Sequence, residues 1–234
     1  MIDIMNKTLA DKENTIILIP VYNSSLQLDR LLKLLIEEDY KKNILCIDDG
    51  SSDNSLSIIE KNQINYISYS VNKGKGYALK KGFNYAIENA YKYALTLDSD
   101  LQHDPERIKY FIQTQNQTNA DLVLGFRRFN FVNMPFARVL SNYITSFIVS
   151  SFCRKTILDS QSGYRLYNLA FFNADEIKSY RYQMETEILF NYINKRAVIS
   201  HVEIPVIYKD ENSNISHLRD IKNFVNVVLK EIFL

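Results

Sequence analysis

Five short apolar runs, each ending in a polar cluster, constrain the fold of this chain more than any other feature. Residues 15–21 (TIILIPV) are rich in β-branched side chains and read as a buried parallel strand. Residues 43–47 read as a second strand and run straight into Asp48-Asp49-Gly50-Ser51-Ser52-Asp53. Residues 66–71 alternate as a third, ahead of the glycine loop Asn72-Lys73-Gly74-Lys75-Gly76. A fourth stops inside the stretch LTLDSDLQHDP, residues 95–105, and residues 121–125 (DLVLG) form a fifth. Between the runs lie helical stripes. Leu28, Leu31, Leu32 and Leu35 mark the first, a short one follows with Leu56, Ile58 and Ile59, and Leu79, Phe83, Ala86, Ile87, Ala90 and Ala94 mark a longer one. Pro105 opens another, expected over 105–115. Strand and helix in alternation imply an α/β fold, with a mainly parallel central sheet and helices on both faces. Such sheets bind ligands beyond the carboxyl ends of their strands. Asn23, Asp48, Asp49, Asn72, Asp98 and Asp100 all fall at those ends.

The pattern changes after Arg128. Pro135 opens a helix with Phe136, Val139, Leu140, Tyr143, Ile144, Phe147, Ile148 and Phe152 on one face, and Arg138, Ser141, Asn142, Thr145 and Ser146 on the other. The simpler reading is a core helix with the apolar face inward. The sharper one is a helix beside an apolar or membrane-borne substrate. A polar loop, Asp159-Ser160-Gln161-Ser162-Gly163-Tyr164-Arg165, follows, then a helix carrying Glu185 and Glu187. Residues 198–208 read as extended segments broken at Pro205, and the chain closes with a polar loop and an amphipathic stretch. One domain is expected over 1–234, with a first part at 15–125, a second at 126–208 and a C-terminal loop and helix at 209–234.

Hydrophobic residues make up 46% and charged residues 24%, which suits a globular core. The formal net charge of +1 argues against broad binding of nucleic acid, so any basic site is local. Cys46 and Cys153 sit in no CxxC pattern, which disfavours a zinc site or a disulfide framework. The first residues show no signal-peptide pattern, and no apolar run reaches the ~18 residues of a membrane span. The expected location is cytoplasmic, or peripheral on the inner face of a membrane.

The acidic stretch suggests a hard divalent cation, Mg²⁺ or Mn²⁺, because such ions take carboxylate and amide oxygens. Asp98 and Asp100 are two apart and point the same way if the strand continues, and Gln102 adds a neutral oxygen. A solvated turn with Asp104 as helix N-cap explains the stretch equally well if it is taken alone. Asp48 and Asp49 can accept hydrogen bonds from a base or ribose, or else shape a turn capped by Ser52 or Asp53. The NKGKG loop brings backbone N–H groups and Lys73 or Lys75 toward a phosphate, but is neither a P-loop nor a GxGxxG fingerprint. Arg127 and Arg128 follow a strand end and suit a phosphate, or form a solvated surface pair.

Taken in order, these motifs resemble the inverting family-2 glycosyltransferases of GT-A fold. The resemblance rests on PVYN at Pro20, IDDGSSDNS at Ile47, NKGKGYALKKGF at Asn72, LDSDLQHDP at Leu97 and LGFR at Leu124. DSQSGYRLY at Asp159, METEILF at Met184 and IPVIYKDENSNISHLRD at Ile204 extend it. The DLQHDP and SGYR elements look most like the subgroup of dolichyl-phosphate mannose synthase and bacterial polyprenyl-phosphate glycosyltransferases. The resemblance implies transfer of a sugar from a UDP- or GDP-sugar to polyprenyl phosphate or a cell-surface glycan precursor, with 15–125 as the nucleotide-sugar half and 126–208 as the acceptor-side half. It places Pro20, Tyr22, Asn23, Asp48 and Asp49 around the nucleoside. Lys75, Asp98, Ser99, Asp100, Arg127, Arg138, His217 and Arg219 complete the donor site, with Asp98, Asp100 and Gln102 as metal ligands. Asp159, Glu185, Glu187 and Arg165 become the candidate catalytic residues. A hydroxyl acceptor needs a general base among those carboxylates, whereas an acceptor phosphate needs a basic pocket instead. Ser24 stands where the family carries Glu. Two alternatives remain at this point: a nucleotide-sugar binder without activity, and a receiver-like signalling domain, whose acidic pair ILCIDDG imitates.

Overall fold

The computed structural model describes residues 9–128, 136–179 and 183–207. Seven strands form one sheet: β1 (Thr15–Val21), β2 (Ile44–Asp48), β3 (Asn65–Ser68), β4 (Tyr93–Thr96), β5 (Leu122–Arg127), β6 (Arg165–Asn168) and β7 (Ile199–Ile204). Their spatial order is β3-β2-β1-β4-β6-β5-β7. β6 runs antiparallel to both β4 and β5, and the remaining pairs are parallel. The helices are α1 (Ser25–Glu37), α2 (Ser55–Lys61), α3 (Lys75–Glu88), α4 (Ile108–Thr118), α5 (Phe136–Cys153) and α6 (Gln183–Asn194).

Strand periodicity divides the core. Successive side chains of β1 point to opposite faces of the sheet. Ile16 and Leu18 therefore join one cluster with Leu79, Phe83 and Ala86 of α3 and Ile188 and Leu189 of α6. Ile17 and Ile19 join the other, with the α1 leucines and with Ile108 and Phe111 of α4. Leu28, Leu31, Leu32 and Leu35 are fully buried, as the sequence stripe requires. On the α3 side Gly82 lets the helix press close, since a Cβ there would meet Ile47 and Leu18 at 3.0 and 3.2 Å.

Some elements differ from expectation. β3 ends at Ser68, three residues before the expected Val71, because the chain turns off to bring residues 71–74 over the end of β2. Gly50 (φ +73°) makes room for that crossing, as a Cβ would lie 2.9 Å from the backbone of Val71 and Asn72. The first turn after Pro105 is a 3-10 turn, and α4 then runs on to Thr118. The SGYR loop leads directly into a strand, β6, which slots between β4 and β5. The sharpest difference is α5, whose polar side faces inward. Asn142, Thr145 and Ser146 are buried, while Tyr143, Ile144 and Phe147 are exposed. The reason is Ser160, whose backbone N–H donates to Ser146 Oγ at 3.0 Å and whose hydroxyl reaches Thr145 and Ser146.

The chain crosses from one side of β1 to the other between β3 and β4. A crevice therefore opens at the carboxyl ends of β1 and β4, where such sheets hold ligands.

Candidate active site

The loops after β1 and β4 meet at that crevice. Ser24 Oγ lies 2.8 Å from Ser99 Oγ, closing one side. So Ser24, which stands where the family carries an acid, ties the first loop to the acidic one. The two serines are 75 positions apart, and nothing in the sequence announces the contact. Asn23 (φ +50°) accepts the Ser52 N–H at 2.8 Å and donates its own to Ser51 Oγ, joining the β1 and β2 loops. Asp53 accepts from the N–H groups of Ser25 and Ser55 and so serves the first turns of α1 and α2 together. Tyr22 is half exposed at the rim, and Pro20 lies within β1 beside Ile47 of β2.

Asp48 and Asp49 are both buried. Asp48 accepts from the Ser68 hydroxyl at 3.0 Å and the Ser51 N–H at 3.3 Å. Asp49 spends one oxygen on the Lys73 N–H at 2.8 Å and the other on the Gly74 N–H at 2.7 Å. Its first task is thus to shape the glycine loop that starts α3.

That loop delivers Lys75 to the acidic stretch. Lys75 Nζ is 2.6 Å from Asp98 Oδ1 and 3.1 Å from Glu185 Oε1. Burial disfavours the Lys75 charge, but Asp98 and Glu185 override it and hold the ammonium more firmly than usual. Gly163 roofs the cluster, where a Cβ would sit 3.0 Å from both Glu185 Oε1 and Lys75 Nζ and 3.1 Å from Asp98 Oδ2. Thr96 Oγ1 donates to the Gly163 carbonyl at 2.6 Å and locks the roof onto β4.

Asp98 and Asp100 sit in unlike surroundings. Burial pushes Asp98 up, yet the Lys75 ammonium, with the Arg127 charge adding to it, pulls it below its ordinary value. Burial raises Asp100, and the neighbouring Asp98 charge raises it further. Asp100 Oδ1 accepts the Gln102 N–H at 2.9 Å, and the Gln102 side chain is exposed. His103 accepts the Asp98 N–H at Nδ1, 3.1 Å, and its ring stacks on Tyr164. Burial lowers its pKa to about 4, so it is a neutral brace for the acidic turn.

Among the described residues no group of three or more His, Cys, Asp or Glu side chains forms a complete metal cage. Two carboxylates nonetheless suit a magnesium-like ion, which keeps waters and takes substrate phosphates for its other positions. The donor set is all oxygen, and two acids so close together favour a bound cation. The residues fit that kind of ion.

A family model for glycosyl transferase family 2 matches residues 16–189. The chain belongs to glycosyl transferase family 2. It is 29% identical over 216 residues to a UDP-N-acetylglucosamine–dolichyl-phosphate N-acetylglucosaminyltransferase of Methanococcus voltae, covering 83% of this chain and 86% of that one. Identity to an undecaprenyl-phosphate mannosyltransferase of Micrococcus luteus is 26% over 204 residues, covering 82% of each. Glucosyl-3-phosphoglycerate synthase of Mycobacterium tuberculosis was solved with Mn²⁺, UDP-glucose and phosphoglyceric acid. It superposes with a TM-score of 0.76 at 15% identity, over 94% of this chain and 80% of that one. The fold is GT-A and the protein is a glycosyltransferase, so the receiver-like alternative falls.

In this glycosyltransferase the residues expected on the acceptor side take up contacts that sequence could not assign. Arg127 Nε and Nη2 grip Asp159 at 2.8 and 3.2 Å. Burial pushes Asp159 up, but the Arg127 charge prevails and holds it below the usual carboxylate value. The same carboxylate accepts the N–H groups of Gln161 and Ser162 and so shapes its loop. Arg128 instead pairs with exposed Glu203. Arg165, expected among the candidate catalytic residues, is wholly buried. Its guanidinium donates to the carbonyls of Ser162, Glu185 and Ser160 at 2.6 to 2.8 Å. It is an internal brace between the loop before β6 and α6. Glu187, expected as a possible base, accepts the N–H groups of Lys178 and Ser179 at 2.9 Å and fixes the chain before α6. The side chain of Arg138, and all of His217 and Arg219, lie outside the described residues, as does the expected segment 209–234.

Proposed function

We propose that this glycosyltransferase moves a sugar from a UDP- or GDP-sugar to a polyprenyl phosphate, with a divalent cation held by Asp98 and Asp100. One observation carries the choice of acceptor: each carboxylate expected as a general base already has a partner. Asp159 is held by Arg127, Glu187 by two backbone N–H groups and Glu185 by Lys75. A hydroxyl acceptor needs one of them to take its proton. A phosphate acceptor is an anion already and needs none. The acceptors named for the Methanococcus and Micrococcus relatives, dolichyl phosphate and undecaprenyl phosphate, support the same choice.

In this mechanism Asp48 and Tyr22 border the nucleoside, and Ser24 with Ser99 holds the crevice to width. Asp98 and Asp100 face the diphosphate, and Gln102 stands beside them as a further oxygen donor. A cation bound there would neutralise the charge that grows on the leaving diphosphate. Lys75 and Arg127 add fixed positive charge in a site partly shielded from water, where it acts strongly. The acceptor phosphate attacks from the face opposite the leaving group and inverts the anomeric centre. The outward apolar side chains of α5, followed by exposed Arg154, suit contact with an anionic lipid surface at the inner face of a membrane. Among the described residues no helix is long and apolar enough to cross one.

The test is a panel of UDP- and GDP-sugars with Mn²⁺, offered polyprenyl phosphate or polyprenol, with the lipid product extracted and weighed by mass spectrometry. Transfer to the phosphate alone is expected. Equal transfer to the free alcohol would overturn the acceptor assignment.

A further inference from the structure

We propose that Lys75 is a built-in counter-ion of the donor site: it occupies Asp98 while the site is empty and passes to Glu185 when a metal-bound diphosphate arrives. This deepens the function proposed above and rests on its divalent cation.

Three observations support it. First, one ammonium lies within reach of two carboxylates, 2.6 Å from Asp98 and 3.1 Å from Glu185, so a change of partner needs side-chain motion alone. Second, the receiving carboxylate has capacity to spare. Glu185 Oε1 is buried, and apart from that ion pair it receives no hydrogen bond of good geometry. Third, everything around the ammonium is fixed. Asp49 pins the loop before Lys75, Arg165 holds the Glu185 carbonyl at 2.7 Å, and Gly163 leaves no spare volume above.

The electrostatics then dictate the order of events. An empty site would leave Asp98 and Asp100 as adjacent acids in a half-buried crevice, and such like charges disfavour one another. Lys75 relieves that by neutralising Asp98. A dication on Asp98 meets the ammonium as a like charge and drives it toward Glu185. The free metal must therefore displace Lys75, and binding is weak until donor phosphates add their own negative charge. Without the ammonium, the metal alone should bind well. Without the Glu185 charge, the ammonium has nowhere to go, and the metal should bind worse than in the native protein.

The test measures free Mn²⁺ by its EPR signal at neutral pH, titrating the full chain without nucleotide. Lys75→Met should bind Mn²⁺ about tenfold or more tightly than the native protein, the scale on which one nearby charge acts. Glu185→Gln should bind it less tightly, and the double variant should match Lys75→Met. Lys75→Gln, which keeps a donor without charge, should repeat the Lys75→Met result and decides the matter should Lys75→Met fail to fold. A purely structural tether predicts the reverse: loss of Lys75 frees Asp98 and weakens the metal. Weaker or unchanged Mn²⁺ binding in the lysine variants overturns the inference. So does a Glu185→Gln effect that persists undiminished without the lysine. No Mn²⁺ binding by the native chain, even with UDP present, overturns the cation assignment itself and this inference with it.

Discussion

The Arg127 guanidinium holds the fully buried Asp159 carboxylate through Nε at 2.8 Å and Nη2 at 3.2 Å. This pair, not a free base, stands at the start of the loop that leads into β6. Arg127 is about a quarter exposed, so its charge stays partly hydrated when the partner is lost. Asp159→Asn should therefore destabilise by about 3 kcal/mol, the low end for breaking a buried pair. The pH dependence follows from the lowered carboxyl. A depressed folded-state pKa contributes stability above the unfolded value of 3.8, lost as pH falls through the folded value. The gap between native and Asp159→Asn protein in urea should be flat above about pH 5 and close below 3.8. A gap that widens on acidification would contradict the pairing.

Gly163→Ala probes the Lys75 cluster without replacing a charged group. The new methyl would meet three side-chain tips at 3.0–3.1 Å, and such tips move more readily than backbone. The fold should survive with a melting temperature close to native. Transfer should fall about tenfold, because three groups around the donor site must each give by a few tenths of an ångström, and a full 1 Å would cost about a hundredfold. A large loss of stability with unchanged turnover of the folded fraction would show that Gly163 matters only for packing.

The sequence made the parallel half of the sheet legible because β1, β2 and β4 carry unbroken apolar runs buried on both faces. β6 was hidden, since RLYN has the charge and polarity of a loop. It is a strand only because Arg165 can bury its charge on three carbonyls supplied by the preceding loop and α6. The orientation of α5 was misread for a related reason. Its polar face is satisfied by Ser160, a long-range partner that helical periodicity cannot reveal. Asp98 and Asp100 stood out by position at a strand end and Lys75 by its glycine loop, but the pairing of Lys75 with Asp98 did not, because 23 residues and a helix separate them.

The outward face of α5 makes a prediction of its own. Phe147 is 73% exposed. Phe147→Ser should change stability by no more than about 0.5 kcal/mol. In sedimentation with phosphatidylglycerol vesicles it should reduce bound protein about tenfold, since burying a phenyl side chain is worth roughly 1.5–3 kcal/mol. Equal partition of both proteins would remove α5 from the membrane-facing surface.

Metal removal separates the acidic pair from the rest of the crevice. At ligand concentrations near 100 times Kd, binding adds about 2.7 kcal/mol, or roughly 5–10 °C for a chain of this size. Mn²⁺ with the correct nucleoside diphosphate should raise the melting temperature of the native protein by that amount, and EDTA should abolish the rise. Asp98→Asn and Asp100→Asn should each lose most of the metal-dependent part while keeping the fold, because neither carboxylate anchors a strand or fills the core. Asp100→Asn is the more discriminating of the two. Asp98 also pairs with Lys75, so its replacement disturbs that cluster as well, whereas the Asp100 carboxylate accepts the Gln102 N–H, which an amide oxygen can still do. An undiminished Mn²⁺-dependent shift in Asp100→Asn would mean that the cation is held elsewhere.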